Sequence, residues 1–172
     1  MLAAFHGELK TAGAALLDVR ERAALFAVAF DAQSGALRRT YAGQSAREIA
    51  ARAGINRDAP FRVIVFPASS VDFEASPASC ERLAPLLSLF VVDDYEDGLV
   101  TCKRLLDVEG AGHTAAIHTR DRGRARRFAL SMPASRILVN HPAAQGCVGL
   151  GNGLTTIVYA WLWHIRRQLD DR

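Results

Sequence analysis

Five arginines crowd the stretch from Arg120 to Arg127, four glycines fall in "GCVGLGNG" from Gly146 to Gly153, and three cysteines and several histidines lie between apolar runs. Clustered arginines can neutralise phosphates of RNA or DNA. Here Phe128, Leu130 and Met132 supply a core face in the same segment and no aromatic residue interleaves with the arginines, so a solvated helix face accounts for them. No nucleic-acid partner is expected. Glycines can bring backbone N–H groups close to phosphate. A dinucleotide fingerprint, however, leaves its strand directly and opens a helix. Five residues separate Asn140 from Gly146, which fits an ordinary active-site or surface loop instead. His113 and His118 are five apart on a strand segment, point to opposite faces and cannot share one metal. Cys80, Cys102 and Cys147 are odd in number and far apart, and have no histidine beside them in sequence, so no metal site, disulfide framework or spacing-defined nucleophile is expected. Cys102 falls on an apolar helix side and reads as core packing, while Cys80 and Cys147 lie in loops.

The elements that must hold these residues are legible from periodicity. Phe5, Leu9 and Ala12 recur at helical spacing; Asp18 can cap a second helix with Val19, Ala23, Phe26 and Phe30 on its apolar side, stopped by the turn "DAQSG". Ser45 and Glu48 have capping-box spacing before "AREIAARAG", with Gly54 where a left-handed terminal residue is wanted. Three helices are thus expected before any sheet. "FRVIVFP" (61–67) and "LAPLLSLFVV" (83–92) read as strands, the second apolar enough to be covered on both faces. After Asp93 or Asp94 comes a helix with Leu99, Cys102, Leu105 and Leu106 inward. Then follow the strand "HTAAIHT", the helix "DRGRARRFALSM" and the strand "SRILVN". Helical connections of this length between apolar strands imply a parallel sheet, so the expected class is α/β, three helices followed by βαβαβ.

The 172 residues, 50% of them hydrophobic, suffice for one globular unit. A formal charge of +3 is too small to point to a polyanionic partner. The start lacks the pattern of a secretory signal, and the longest apolar stretch, Leu154 to Ile165, is too short to span a bilayer, so a cytoplasmic protein without a membrane partner is expected.

Taken together, "CERLAPLLSLFVVDDYEDGL", "EGAGHTAAIHT" and "MPASRILVNHPAAQGCVG" resemble the CoA-acylating, acetaldehyde dehydrogenase-like branch of the aldehyde dehydrogenase superfamily. The resemblance extends upstream through "ELKTAGAALLDVRERAALFAVAFD" and "GQSAREIAARAGI", which are similar to helices following the catalytic cysteine in that branch. It implies that residues 1–153 are part of a catalytic domain that uses NAD or NADP with CoA as co-substrate on a small aldehyde, in a homo-oligomer when intact. Glu81 and Pro85 match the superfamily's Glu-x-x-x-Pro element, so Glu81 is the implied cofactor-binding residue, holding the nicotinamide ribose hydroxyls; Leu83 is implied to lie near the nicotinamide. A carboxylate suits a vicinal diol because it can accept two hydrogen bonds at once. His113 and Thr114 match the branch's "GHT", and Gly146 and Gly149 its loop after the last strand, with no defined role carried over. The resemblance places the nucleophilic cysteine and the Rossmann domain upstream of these residues. No catalytic residue is therefore assigned here, and the isolated chain is expected to be inactive; a non-catalytic interaction module is the alternative.

Residues 154–172 depart from the branch's closing glycine-rich motif, Leu-Gly-Cys-Gly-Thr-x-Gly-Gly-Asn-Ser. Ala160-Trp161-Leu162-Trp163, written GCN-TGG-CTN-TGG, becomes CNT-GGC-TNT-GGC one nucleotide forward and can spell Leu-Gly-Cys-Gly. The shifted codons from His164 to Leu169 can read Thr-Ser-Gly-Gly-Asn-Ser. The tail is accordingly expected to be the motif read in a shifted frame; the alternative is an amphipathic helix with Ile157, Trp161, His164 and Ile165 on one side.

Overall fold

The structure is a computed structural model and describes residues 2–69, 73, 76–80, 82–109, 114–151 and 153. The tail from residue 154, with its expected frameshift or amphipathic helix, lies outside the described residues, as do Gly110, Gly112 and His113. The chain divides into two compact units, Met1–Gly98 and Leu99–Arg172.

The first unit is built on a three-stranded parallel sheet, ordered β1 (Ala14–Leu16), β2 (Val63–Ala68), β3 (Leu86–Phe90). β1 corrects the expectation that three helices precede any sheet, since it stands between α1 (Leu2–Thr11) and α2 (Val19–Ala29). Three residues, two of them alanine, carry no strand signal of their own, and pairing with Val63–Val65 is what makes them a strand. β2 is the central strand, with Ile64, Val65 and Phe66 all buried, and Pro67 lies beyond the last residue paired with β1, where a missing N–H is tolerated. β3 corrects the expectation of a strand covered on both faces: among the described residues it is the outer strand of its sheet, and Leu87 and the following Val91 are exposed.

Helix ends follow their caps. Asp18 and Glu21 form a capping box at α2, and Ser45 and Glu48 form one at α3 (Ala46–Arg52). α3 closes with Gly54 at φ +71°, its N–H on Ala51 O and that of Ile55 on Ala50 O, the reversal that only a left-handed residue permits cheaply. The buried side of α2 is the expected one only in part, at Phe26 and Phe30. Leu25, Ala29 and Phe30 are buried and Phe26 packs against the core, while Val19 and Ala23 are exposed, so the stripe is rotated toward Leu25 and Ala29. Phe26 meets Phe30 and Phe66 edge to face, each at 5.2 Å, so α2 is pinned to β2 by aromatic contacts. Phe5 of α1 is exposed.

α4 (Tyr95–Glu109) starts at Asp94, whose Oδ1 accepts from Asp97 N at 2.9 Å. Leu99 is buried on it, but Cys102 is exposed, contrary to the inward position expected. The second unit pairs β4 (Thr114–Ile117) with β5 (Arg136–Val139) in parallel, connected by α5 (Arg122–Ser131). Phe128 and Met132, one helical turn apart, are buried; Leu130, expected with them, is 73% exposed because two residues along a helix turn the side chain to the far side. The arginines of α5 are exposed, as a solvated face requires. Among the described residues no helix is long and apolar enough to cross a membrane.

Candidate functional site

The chain between β2 and β3 returns along the sheet and carries "CERLAP". Glu81, the implied cofactor ligand, lies outside the described residues, but its neighbours on both sides are described. Upstream, Phe73 is buried and stacks on Phe90 at 5.5 Å with an interplanar angle of 11°. Ser76 begins a tight turn: Ser79 N donates to Ser76 O, and Ser79 Oγ to Phe73 O at 3.2 Å and to Ser76 O at 3.0 Å. Downstream, Arg82 donates from Nη1 to Pro77 O at 2.6 Å and from Nη2 to Ser88 Oγ at 2.8 Å, and its guanidinium carbon lies 5.2 Å from the Phe66 ring centre. Ser88 Oγ donates in turn to Ala78 O at 2.5 Å. Leu83 O accepts from Gly43 N at 3.0 Å, while the Leu83 side chain is 74% exposed. Pro85 O accepts from Ile64 N at the start of the strand pairing. Polar side chains thus fix both flanks of position 81 to the first sheet, and an apolar side chain is left open to solvent beside it.

The other residues singled out in sequence are in the second unit. Thr114 opens β4 and is partly buried; His118, just after β4, is exposed. The loop after β5 is held by Asn140, in the left-handed region at φ +54°: its Oδ1 accepts from Thr119 N and its Nδ2 donates to Thr119 O, both at 2.8 Å. Gly146 closes α6 (Ala143–Gly146) and is buried against Leu138. Gly149 and Gly151 have φ of +81° and +76°, the conformation that makes glycine the suitable residue there. Arg136, buried in β5, donates through Nη1 to Cys147 O.

None of the three cysteines is in a disulfide. Cys147 Sγ donates to Ala144 O at 3.2 Å, and Cys102, although exposed as a residue, has its pKa raised by partial desolvation of the thiol. At Cys102 this favours the thiol over the thiolate that a nucleophile requires. Among the described residues no cluster of histidine, cysteine, aspartate or glutamate could hold a metal ion. Arg82 and Ser88 were not singled out in sequence. An arginine after a glutamate and a serine in an apolar strand look unremarkable until the fold brings them together.

No family model matches the chain. A probable aldehyde dehydrogenase from Listeria monocytogenes EGD-e is 33% identical, superposes with a TM-score of 0.79 and covers 91% of this chain. An acetylating aldehyde dehydrogenase from Geobacillus thermoglucosidasius is 28% identical, also with a TM-score of 0.79, over 87% of this chain. Among curated proteins, the bifunctional aldehyde-alcohol dehydrogenase of Escherichia coli K12 is 32% identical over 120 residues, 68% of this chain. The chain is a homologue of the acylating aldehyde dehydrogenases. A further relative within this group, aldehyde-alcohol dehydrogenase 2 of Entamoeba histolytica, is 29% identical over 163 residues and matches 91% of the chain. Coverage that wide takes in residues of both units, and the parallel α/β architecture is that of the acylating aldehyde dehydrogenase domain. The chain spans 18% and 13% of the lengths of the Entamoeba and E. coli relatives, and 33% of the Listeria enzyme.

Proposed function

We propose that the chain is part of an NAD(P)-dependent, CoA-acylating aldehyde dehydrogenase, that Glu81 holds the nicotinamide ribose, and that the chain alone does not turn over. The observation that carries this is the anchored stretch around position 81, in a chain matching acylating enzymes over most of its own length but only a fraction of theirs. Two structural neighbours show what such enzymes hold. An engineered glycolyl-CoA reductase is described with bound NADP+, and a propionaldehyde dehydrogenase from Rhodopseudomonas palustris with bound CoA and an acylated cysteine.

In the reaction proposed, an aldehyde and CoA become an acyl-CoA thioester while a nicotinamide cofactor accepts hydride. This chain's contribution is binding. A carboxylate at Glu81 accepts hydrogen bonds from both hydroxyls of a ribose, and Leu83 offers an exposed apolar side chain two residues on. What the described residues lack is a nucleophile. Desolvation favours the neutral thiol at Cys102, and by the family resemblance none of Cys80, Cys102 and Cys147 stands at the catalytic position. The nucleophilic cysteine and the Rossmann domain are therefore assigned to residues preceding these in an intact enzyme. That enzyme would be a cytoplasmic homo-oligomer acting on a small aldehyde, with neither nucleic acid nor membrane as partner.

Residues 1–153 then constitute part of the catalytic domain and 154–172 a segment read out of frame. Sequencing the genomic DNA tests both statements. The proposal expects a cysteine-bearing segment and a Rossmann domain encoded upstream in one of the three frames, and codons 155–171 that yield Gly-Cys-Gly-Thr and Gly-Gly-Asn-Ser when shifted one nucleotide forward. Unrelated upstream sequence would contradict the first, and codons that fail to give the motif would contradict the second.

A further inference from the structure

We infer that Arg82 is a positioning residue for the cofactor-binding stretch, holding the chain on both sides of position 81 in a fixed path before any nucleotide arrives. The guanidinium reaches back to Pro77 O and forward to Ser88 Oγ, while its face rests on Phe66. Ser88 passes the tie on to Ala78 O, so two closures, 77 to 82 and 78 to 88, share one serine and one arginine. Both ends of the tie are rigid: Phe66 is fully buried in the central strand against Phe26, and Ser88 is paired with Phe66 across the β2–β3 register. A planar guanidinium can do this because its donors form a fork whose two ends serve different acceptors while its face stacks on a ring; an ammonium cannot do all three. With the arginine directed inward, Leu83 is left facing solvent and its carbonyl meets Gly43 N–H, which ties the stretch to the turn before α3.

A binding loop ordered in advance loses less conformational freedom on association, which is the functional value of such a clamp. The functional meaning rests on reading Glu81 as the ribose ligand, but the clamp itself can be tested without nucleotide, so the two can fail separately.

Native-state hydrogen exchange read by NMR tests it. Gly43 N–H, bonded to Leu83 O, reports on the clamped stretch; Leu17 N–H, bonded to Val65 O, reports on the sheet. Arg82→Ala is expected to speed exchange at Gly43 roughly 10- to 100-fold, the loss expected for charge-assisted hydrogen bonds, and to leave Leu17 unchanged. Arg82→Lys should fall between wild type and alanine. Ser88→Ala, which removes the shared hydroxyl while keeping the arginine, should speed Gly43 exchange by a smaller factor, so the proposal stays testable if Arg82→Ala does not fold. Unchanged exchange at Gly43 in the variants, or equal acceleration at Gly43 and Leu17, would overturn the positioning role.

Discussion

Gly146→Ala is expected to destabilise the chain by about 1–3 kcal/mol, the usual cost of forcing an extra methyl into a packed site. A Cβ on Gly146 would overlap Leu138 Cδ1, stand 2.8 Å from Leu138 Cδ2 and 3.1 Å from His141 Nδ1. Leu138 is buried in β5, so its methyl groups have little room to withdraw, and relief must come from moving α6 away from the strand. The His141 ring lies between two glycines, a Cβ built on Gly151 falling 3.0 Å from its Nε2. Urea denaturation followed by circular dichroism measures the effect. A change smaller than about 0.5 kcal/mol, the range of an ordinary surface substitution, would show that the loop gives way freely.

Arg57→Ala is expected to cost a similar amount near neutral pH, about 1–3 kcal/mol, reduced toward the lower end by partial exposure of the pair. Arg57 grips Glu21 at both oxygens, Nη1 to Oε1 at 2.6 Å and Nη2 to Oε2 at 2.7 Å, and also donates to Asn56 O and Leu16 O. Glu21 meanwhile accepts from Asp18 N as half of the capping box of α2. One ion pair therefore joins the end of β1, the first turn of α2 and the chain after α3. The hydrogen bond from Arg57, opposed by partial burial and helped by the Asp18 N–H, lowers the pKa of Glu21 from its ordinary 4.5; the same pairing raises that of Arg57. A carboxylate with a depressed folded-state pKa contributes stability above its unfolded pKa and loses it as the pH falls through the folded value. The wild-type advantage over Arg57→Ala should thus be full near neutrality and shrink below pH 4.5. Paired urea melts across that range check it, and a difference between the two proteins that persists undiminished in acid would refute the assignment.

What the sequence discloses about this fold is mostly local. Asp18 with Glu21, Ser45 with Glu48, and Gly54 each announce a helix end through chemistry confined to a few residues, and all three stand where the spacing puts them. The alternation of helix and strand from β3 to β5 is equally local, since each apolar run is long enough to declare itself. The misses are tertiary. β1 exists only because β2 pairs with it; the buried stripes of α2 and α5 depend on where the sheets lie; and the outer position of β3 among the described residues cannot be inferred from how apolar it is. The candidate site divides the same way. Glu81 was reached through a family resemblance, and no composition or periodicity marks it. Arg82 was missed because its role depends on Phe66, Pro77 and Ser88, residues brought to it by folding.

The central claim, that this chain carries a cofactor-holding part of an acylating aldehyde dehydrogenase but not its nucleophile, is tested most directly by assaying the purified chain for NADH formation with an aldehyde, CoA and NAD+. The account predicts no aldehyde-dependent NADH above the enzyme-free background. Turnover that is abolished by changing Cys80, Cys102 or Cys147 to serine would contradict it, because a nucleophile would then reside in these residues after all.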